Sequence, residues 1–140
     1  QISALLKETS CNPENVIFEI TETSAVANFV EATELITELT QLGCRFSLDD
    51  FGTGFGSFLY LKHLPVSGIK IDGDFVRNIS NSEVDQKIVE AIVMIAKALK
   101  KETVAEWVGD QATLELLEKL DVDYAQGYLI GKPEPIEVLT

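Results

Sequence analysis

The sequence is poor in positive charge: eleven Lys and Arg face twenty-three Asp and Glu, for a net charge of −12 and a pI near 4.4. That balance excludes binding long nucleic acid through its phosphates, which needs a basic surface to displace counterions. It leaves open a small anionic ligand held through metal ions, because bound cations reverse the local sign. Cysteine is also scarce. Cys11 and Cys44 form no CxxC pair and no His/Cys cluster accompanies them, so a zinc site is not expected. They read as reduced, partly buried thiols of a cytoplasmic protein. No apolar run reaches the length of a membrane span, and no signal peptide opens the chain. The single histidine, His63, sits in a Lys-His-Leu-Pro context that reads as surface, not as a general base. The first residue is Gln1 and not Met, which points to a start inside a longer protein.

What is present is one domain's worth of chain, 140 residues of which 46% are hydrophobic. Short apolar segments alternate with amphipathic ones. Strands are expected at Val16–Thr21, Arg45–Asp50, Gly68–Asp72, Glu102–Val108 and Tyr124–Leu129. Helices are expected at Ala25–Leu42, closed by Gly43; in a short stretch before Pro65; from a Ser82 cap to about Lys100; and over Asp110–Leu120 with Asp110 as N-cap. Residues 1–10 read as the end of an earlier helix. The stripe Val84, Ile88, Ile92, Ile95, Leu99 reads as core. Alternation of this kind implies parallel strands with right-handed crossovers. Two layouts fit, an open doubly wound sheet and part of a (β/α) barrel. A closed eight-fold barrel needs about 250 residues, and about 200 at the least.

The chemistry lies where the strands end. Side chains alternate faces along a strand, and each expected strand brings a polar group near its C-terminal end, where parallel α/β folds build sites. Glu19, Glu22, Asp49, Asp50 and Glu106 converge there, with Lys70 as the only cation and Gln126 between Ala125 and Gly127. Two like charges 4 Å apart repel by roughly 4 kcal/mol at an effective dielectric of 20. A set of five requires counter-charge, and Mg2+ or Mn2+ suits carboxylate ligands. Two such ions serve in-line attack at phosphorus. The glycine-rich loop Phe51–Ser57 lacks the Lys-Ser/Thr of a P-loop and is not read as a phosphate cradle. Trp107 reads as a packing residue on the helix-facing side in preference to a guanine-stacking platform. Phe55 and Phe58 read as core, with a dimer contact as the alternative.

These residues resemble the EAL domain family of cyclic di-GMP phosphodiesterases. Glu19-Ile20-Thr21-Glu22-Thr23 is similar to its acidic strand, and Asp49-Asp50-Phe51-Gly52-Thr53-Gly54 to its two-aspartate loop. Leu64-Pro65 with Ile69-Lys70-Ile71-Asp72 resembles its lysine strand. Val104-Ala105-Glu106 and Ala125-Gln126-Gly127-Tyr128 resemble its last two signatures. The resemblance runs from about Val16 to Pro135. It implies a partial (β/α)8 barrel of about five βα units, residues 1–140 being the C-terminal part of an EAL-type domain without its N-terminal strands. It implies hydrolysis of one phosphodiester of cyclic di-GMP to give a linear dinucleotide. Glu19 and Asp49 are then metal ligands, and Asp50 serves a second metal. Lys70 holds the attacking water or a substrate oxygen. Glu106 is a ligand or proton acceptor, and Gln126 orients the same region. Glu22 anchors the loop Phe51–Ser57, and Asp72 assists the metal or water network.

The chain also departs from the family. The Glu-Ala-Leu strand and the Asn ligand are absent, and Glu90-Ala91-Ile92 sits mid-helix in another context. Gly109 stands where a second acid is usual, and Trp107 where Gly or Phe is common. Three readings therefore stand: an enzyme in its intact parent, a degenerate receptor that binds the nucleotide without hydrolysis, and an inactive barrel fragment. Unpaired strand edges invite pairing with another copy, so a homodimer or oligomer is expected. Cyclase-type or sensor domains are expected in the parent by analogy.

Overall fold

The structure is a computed structural model, and it describes residues 2–9, 11–53 and 58–135. The second half of the glycine-rich loop, Gly54–Ser57 with Phe55, lies outside the described residues. The described chain forms a parallel sheet of five strands in sequential order: β1 (Ile17–Thr21), β2 (Arg45–Phe51), β3 (Gly68–Ile71), β4 (Glu102–Ala105) and β5 (Tyr124–Ala125). That order, one strand next to its predecessor without reversal, is the order of a barrel wall and not of an open doubly wound sheet. Seven helices occur among the described residues: α1 (Ile2–Glu8), α2 (Glu22–Ala27), α3 (Phe29–Gln41), α4 (Phe58–His63), α5 (Gly73–Val76), α6 (Glu83–Ala98) and α7 (Gln111–Lys119).

One face of the sheet carries the core. Phe46, Leu48, Ile69, Ile71 and Ala105 point to that face and are buried against Ile36 and Leu39 of α3, Val89, Ile92 and Val93 of α6, and Leu117 of α7. The period-2 alternation sends Glu19, Ser47, Lys70, Val104 and Gln126 to the opposite, concave face, where they line one shared hollow. Helix entry follows the expected chemistry. Ser82 accepts from Asp85 N at 3.2 Å, Asp110 from Thr113 N at 2.8 Å, and Thr21 from Ser24 N at 3.3 Å.

Several expected boundaries move. The helix expected at Ala25–Leu42 begins at Glu22, because Thr21 caps it, and Asn28 divides it into two with a non-helical φ of −128°. The strand expected to Val108 ends at Ala105, since Trp107 turns the chain with φ +58°. The strand expected to Leu129 ends at Ala125, where Gly127 lies so close to Val108 that a Cβ would come within 2.3 Å of its backbone. Val84 is not core. It is 69% exposed, while Ile92 is buried and Ile88, Ile95 and Leu99 pack half-buried against the core, joined by Val89, Val93 and Ala96.

Candidate active site

At the C-terminal end of the sheet β2 carries an irregularity. Its register against β3 shifts between Leu48 and Phe51, and Asp50 adopts φ +54°. A regular strand would send Asp49 and Asp50 to opposite faces. The bulge re-aims the second carboxylate, so both aspartates reach the same side. Asp is among the few residues that take this backbone region with little strain. Asp49 also accepts from the Asp50 N–H at 3.0 Å, which fixes the local turn.

Asp49, Asp50 and Glu106 each place a carboxylate oxygen within 4.8 Å of the others. Lys70, projecting from the middle of β3, reaches three acids: Glu106 at 2.8 Å, Glu19 at 2.9 Å and Asp49 at 3.3 Å. Its side chain is only 6% exposed. Burial works to lower the ammonium's pKa, yet hydrogen bonds to Glu106 and Glu19 and the charges of Glu106 and Asp49 outweigh it and hold the pKa above the usual lysine value. Glu106 is pushed up from the usual carboxylate value, first by burial, against the pull of Lys70 and with help from Asp49 and Asp50. Asp50 is pushed up by loss of water and then by the charges of Asp49 and Asp72. The site therefore carries more negative charge than its lysine balances, and Asp50 and Glu106 hold protons more tightly than free carboxylates.

The other expected site residues take distinct places. Glu22 does not join the carboxylate cluster. It is buried on the first turn of α2 and accepts from Gly52 N at 3.1 Å, tying the start of the loop after β2 to this helix. Asp72 caps α5, accepting from Asp74 N at 2.7 Å, and lies near enough to Asp50 to raise its pKa. Glu19 meets the cluster through Lys70. Gln126 lines both the concave hollow and a cavity of about 320 Å3 formed with Glu106, Trp107, Gly109, Gly127 and Tyr128.

Trp107 is not a buried packing residue. It is 59% exposed on that cavity, with the Arg77 guanidinium carbon 4.1 Å from its ring centroid. Its φ of +58° costs a bulky L-residue about 1–2 kcal/mol. Sequence reasoning missed both this strain and the role of Gly73, on which the indole rests. A Cβ there would fall 2.1 Å from Trp107 Cδ1. The Gly-Asp pair after Asp72 was the available signal for a tight approach.

Residues 1–133 match the EAL domain family. The chain is 46% identical over 121 residues to the cyclic di-GMP phosphodiesterase PdeB of Shewanella oneidensis, covering 86% of this chain and 14% of that protein. It is 40% identical over 136 residues to the cyclic di-GMP phosphodiesterase PdeF of Escherichia coli, covering 97% of this chain and 18% of that protein. Among solved structures it superposes on the PaMucR phosphodiesterase in complex with c-di-GMP with a TM-score of 0.93 at 37% identity, covering 99% of this chain and 56% of that one. It superposes on the EAL domain of Mycobacterium smegmatis DcpA with a TM-score of 0.91 at 32% identity, covering 99% and 62%. The chain thus spans less than a fifth of these two curated relatives and just over half of the solved PaMucR chain. In sequence and in fold alike, the chain belongs to the EAL domain family.

Proposed function

We propose that residues 1–140 are the C-terminal part of an EAL-type barrel which, in the intact protein, hydrolyses cyclic di-GMP to a linear dinucleotide with Mg2+ or Mn2+. The observation that carries the reading is the cluster of Asp49, Asp50 and Glu106 oxygens, mutually within 4.8 Å, beside the Lys70 ammonium. An all-carboxylate donor set of this size fits a hard divalent cation, with Asp49, Asp50 and Glu106 as its holders and Glu19 as the further acid for a two-metal arrangement. Such cations, when bound, supply positive charge to phosphate oxygens and make water more acidic.

The chain's own groups do the rest. Lys70, kept protonated by three acids, donates to a water or to a phosphate oxygen and stabilises charge that builds there. Glu106, with its raised pKa, is suited to accept the proton of an attacking water. Gln126, on the neighbouring strand end, orients the same region. Glu22 holds the loop that follows the aspartates, and Asp72 lies beside Asp50. Cyclic di-GMP is the ligand on this reading, a homodimer is the expected assembly, and cyclase-type or sensor domains accompany the domain. No described helix is long and apolar enough to cross a membrane. The two free cysteines suit a reducing cytoplasm.

One observation favours a second reading, a receptor that binds without hydrolysis. Gly109 stands beside Glu106 with no acid, although a Cβ there would meet nothing nearer than Trp107 O at 3.9 Å. The deciding experiment incubates the purified chain, and separately the intact protein, with cyclic di-GMP and Mg2+. Linear dinucleotide is followed by chromatography, with Glu106→Gln alongside. Turnover that vanishes in the variant establishes the enzyme. Binding without turnover in the intact protein establishes the receptor.

A further inference from the structure

We infer that the outer face of α6 is a self-docking surface, on which the same helix of a second copy of this chain lies antiparallel. The inference goes beyond the phosphodiesterase reading and does not depend on it. It starts from a stripe that the fold leaves uncovered. The inner face of α6 is engaged: Val89, Ile92, Val93 and Ala96 are buried, and Ile88 and Ile95 pack against the core. On the outer face Val84, Lys87, Ala91, Met94 and Ala98 recur at alternating intervals of three and four residues, and all five are exposed. That is the spacing of a seam between two helices. Its large apolar members, Val84 and Met94, are 69% and 68% exposed.

Charge and size decide what the seam accepts. Laid antiparallel, with the two-fold axis between Lys87 and Ala91, the stripe is complementary to itself. Val84 of each copy meets Met94 of the other. Lys87 of each copy meets Ala91 of the other, whose short side chain leaves room for the lysine stem. The flanking charges follow the same symmetry. The first turn of α6 is acidic, with Glu83 and Asp85, and the last turn carries Lys97. Glu83 of each copy therefore falls opposite Lys97 of the other. Lys97 also meets Asp121 of its own chain, and its ammonium keeps donors for a second acid. At the axis the two copies of Glu90 approach each other, and Lys87 already holds each Glu90 at 2.7 Å, so the four charges offset one another. A parallel pairing would bring the acidic turns together and the lysine ends together, and would align the two helix dipoles, which the antiparallel pairing opposes. Four turns of helix bury less than the roughly 1,000 Å2 of a stable interface, so the contact is a transient one. The net charge of −12 on each copy also works against tight association.

Sedimentation velocity of the whole chain in EDTA and moderate salt, from about 10 μM to 1 mM, reads the association without metal or nucleotide. A reversible dimer is expected, with a Kd of roughly 0.1 mM. Met94→Asp is expected to weaken it by about tenfold or more. Glu83→Lys sets lysine against lysine, and Lys97→Glu sets glutamate against glutamate. Each is expected to weaken the dimer by about 5- to 10-fold, and the two together to restore the parent's affinity within about twofold. Far-UV circular dichroism checks that every variant keeps the parent's fold. A second measurement uses Cys11→Ser with Val84→Cys and Met94→Cys. These two positions lie about 15 Å apart along one helix, too far for a bridge within a chain, so mild oxidation is expected to give a dimer joined by two disulfides. A chain that stays monomeric throughout the range overturns the inference. So does a dimer indifferent to Met94→Asp, which lies on another face, and so does a charge swap that fails to recover what the single inversions lose. Turnover of cyclic di-GMP bears on none of these readouts, so the phosphodiesterase reading holds or fails separately.

Discussion

The Lys70 ammonium lies 2.8 Å from the Glu106 carboxylate in a position nearly closed to water, and the same nitrogen also meets Glu19 and Asp49. Removing one member of a buried charged set leaves the others uncompensated, which costs about 3–5 kcal/mol when all are buried. Glu19 is half exposed and relaxes into solvent, so Lys70→Met is expected to destabilise the metal-free chain by about 2–4 kcal/mol. Urea denaturation in EDTA measures this. Mg2+ is expected to recover part of the loss, because the acids then meet a cation again. An unchanged midpoint would mean that the three acids are separately solvated.

Asp50 presents the opposite case, a charge that costs stability. Its folded-state pKa is raised above the unfolded value, so the folded chain holds the proton to higher pH. The group therefore favours folding at low pH, and this contribution is lost as pH rises through the raised pKa. Asn tolerates the φ of +54° as Asp does. Asp50→Asn is expected to be neutral or stabilising by up to about 0.5 kcal/mol in EDTA at neutral pH. The gap should close as pH falls through the carboxylate range. Mg2+ at a hundredfold excess over its Kd stabilises the parent by about 2.7 kcal/mol and the variant by much less. Thermal unfolding with and without Mg2+ reads both effects.

Glu22 acts on the site through Gly52, whose N–H it accepts at 3.1 Å. Glu22→Gln keeps a carbonyl acceptor in place, whereas Glu22→Ala leaves the donor without its side-chain partner and frees the loop after the aspartates. Supporting residues of this kind typically change metal affinity by 10- to 100-fold. Glu22→Ala is expected to weaken Mg2+ or Mn2+ binding about tenfold, measured by calorimetry, with Glu22→Gln near the parent. Equal affinity in all three would reduce Glu22 to a fold residue.

The sequence made much of this visible because the relevant signals were periodic. Alternation put Lys70 opposite Ile69 and Ile71, and Ser82 and Asp110 announced their helices through local hydrogen bonds. What it hid depended on backbone departures from regularity. The bulge that turns Asp50 to the side of Asp49 has no periodic signature, and alternation alone would have separated them. Trp107 looked like packing because a large aromatic beside buried Ala105 and Val108 suggests burial. Only the positive φ takes it out of the strand. Val84 followed the helical stripe in sequence but is exposed in the first turn of α6, and packing against the core starts at Ile88.

The contact between Gly73 and Trp107 makes a double-mutant test possible. Gly73 is buried, and a methyl group there would overlap the indole at 2.1 Å from Cδ1 and 2.6 Å from Cγ. No small shift relieves such an overlap, because Gln126 and Leu129 clamp Val108 beside it. Overpacking of this type costs about 1–3 kcal/mol, so Gly73→Ala alone should destabilise within that range. Trp107→Gly alone loses the ring's contacts but also its backbone strain, and the two effects largely cancel. In the double variant the methyl group enters space that the indole has left, and the cost of Gly73→Ala should fall below about 0.5 kcal/mol. Urea midpoints for the four proteins give the coupling energy. Additive behaviour would mean that Gly73 is needed for some reason other than the approach of Trp107.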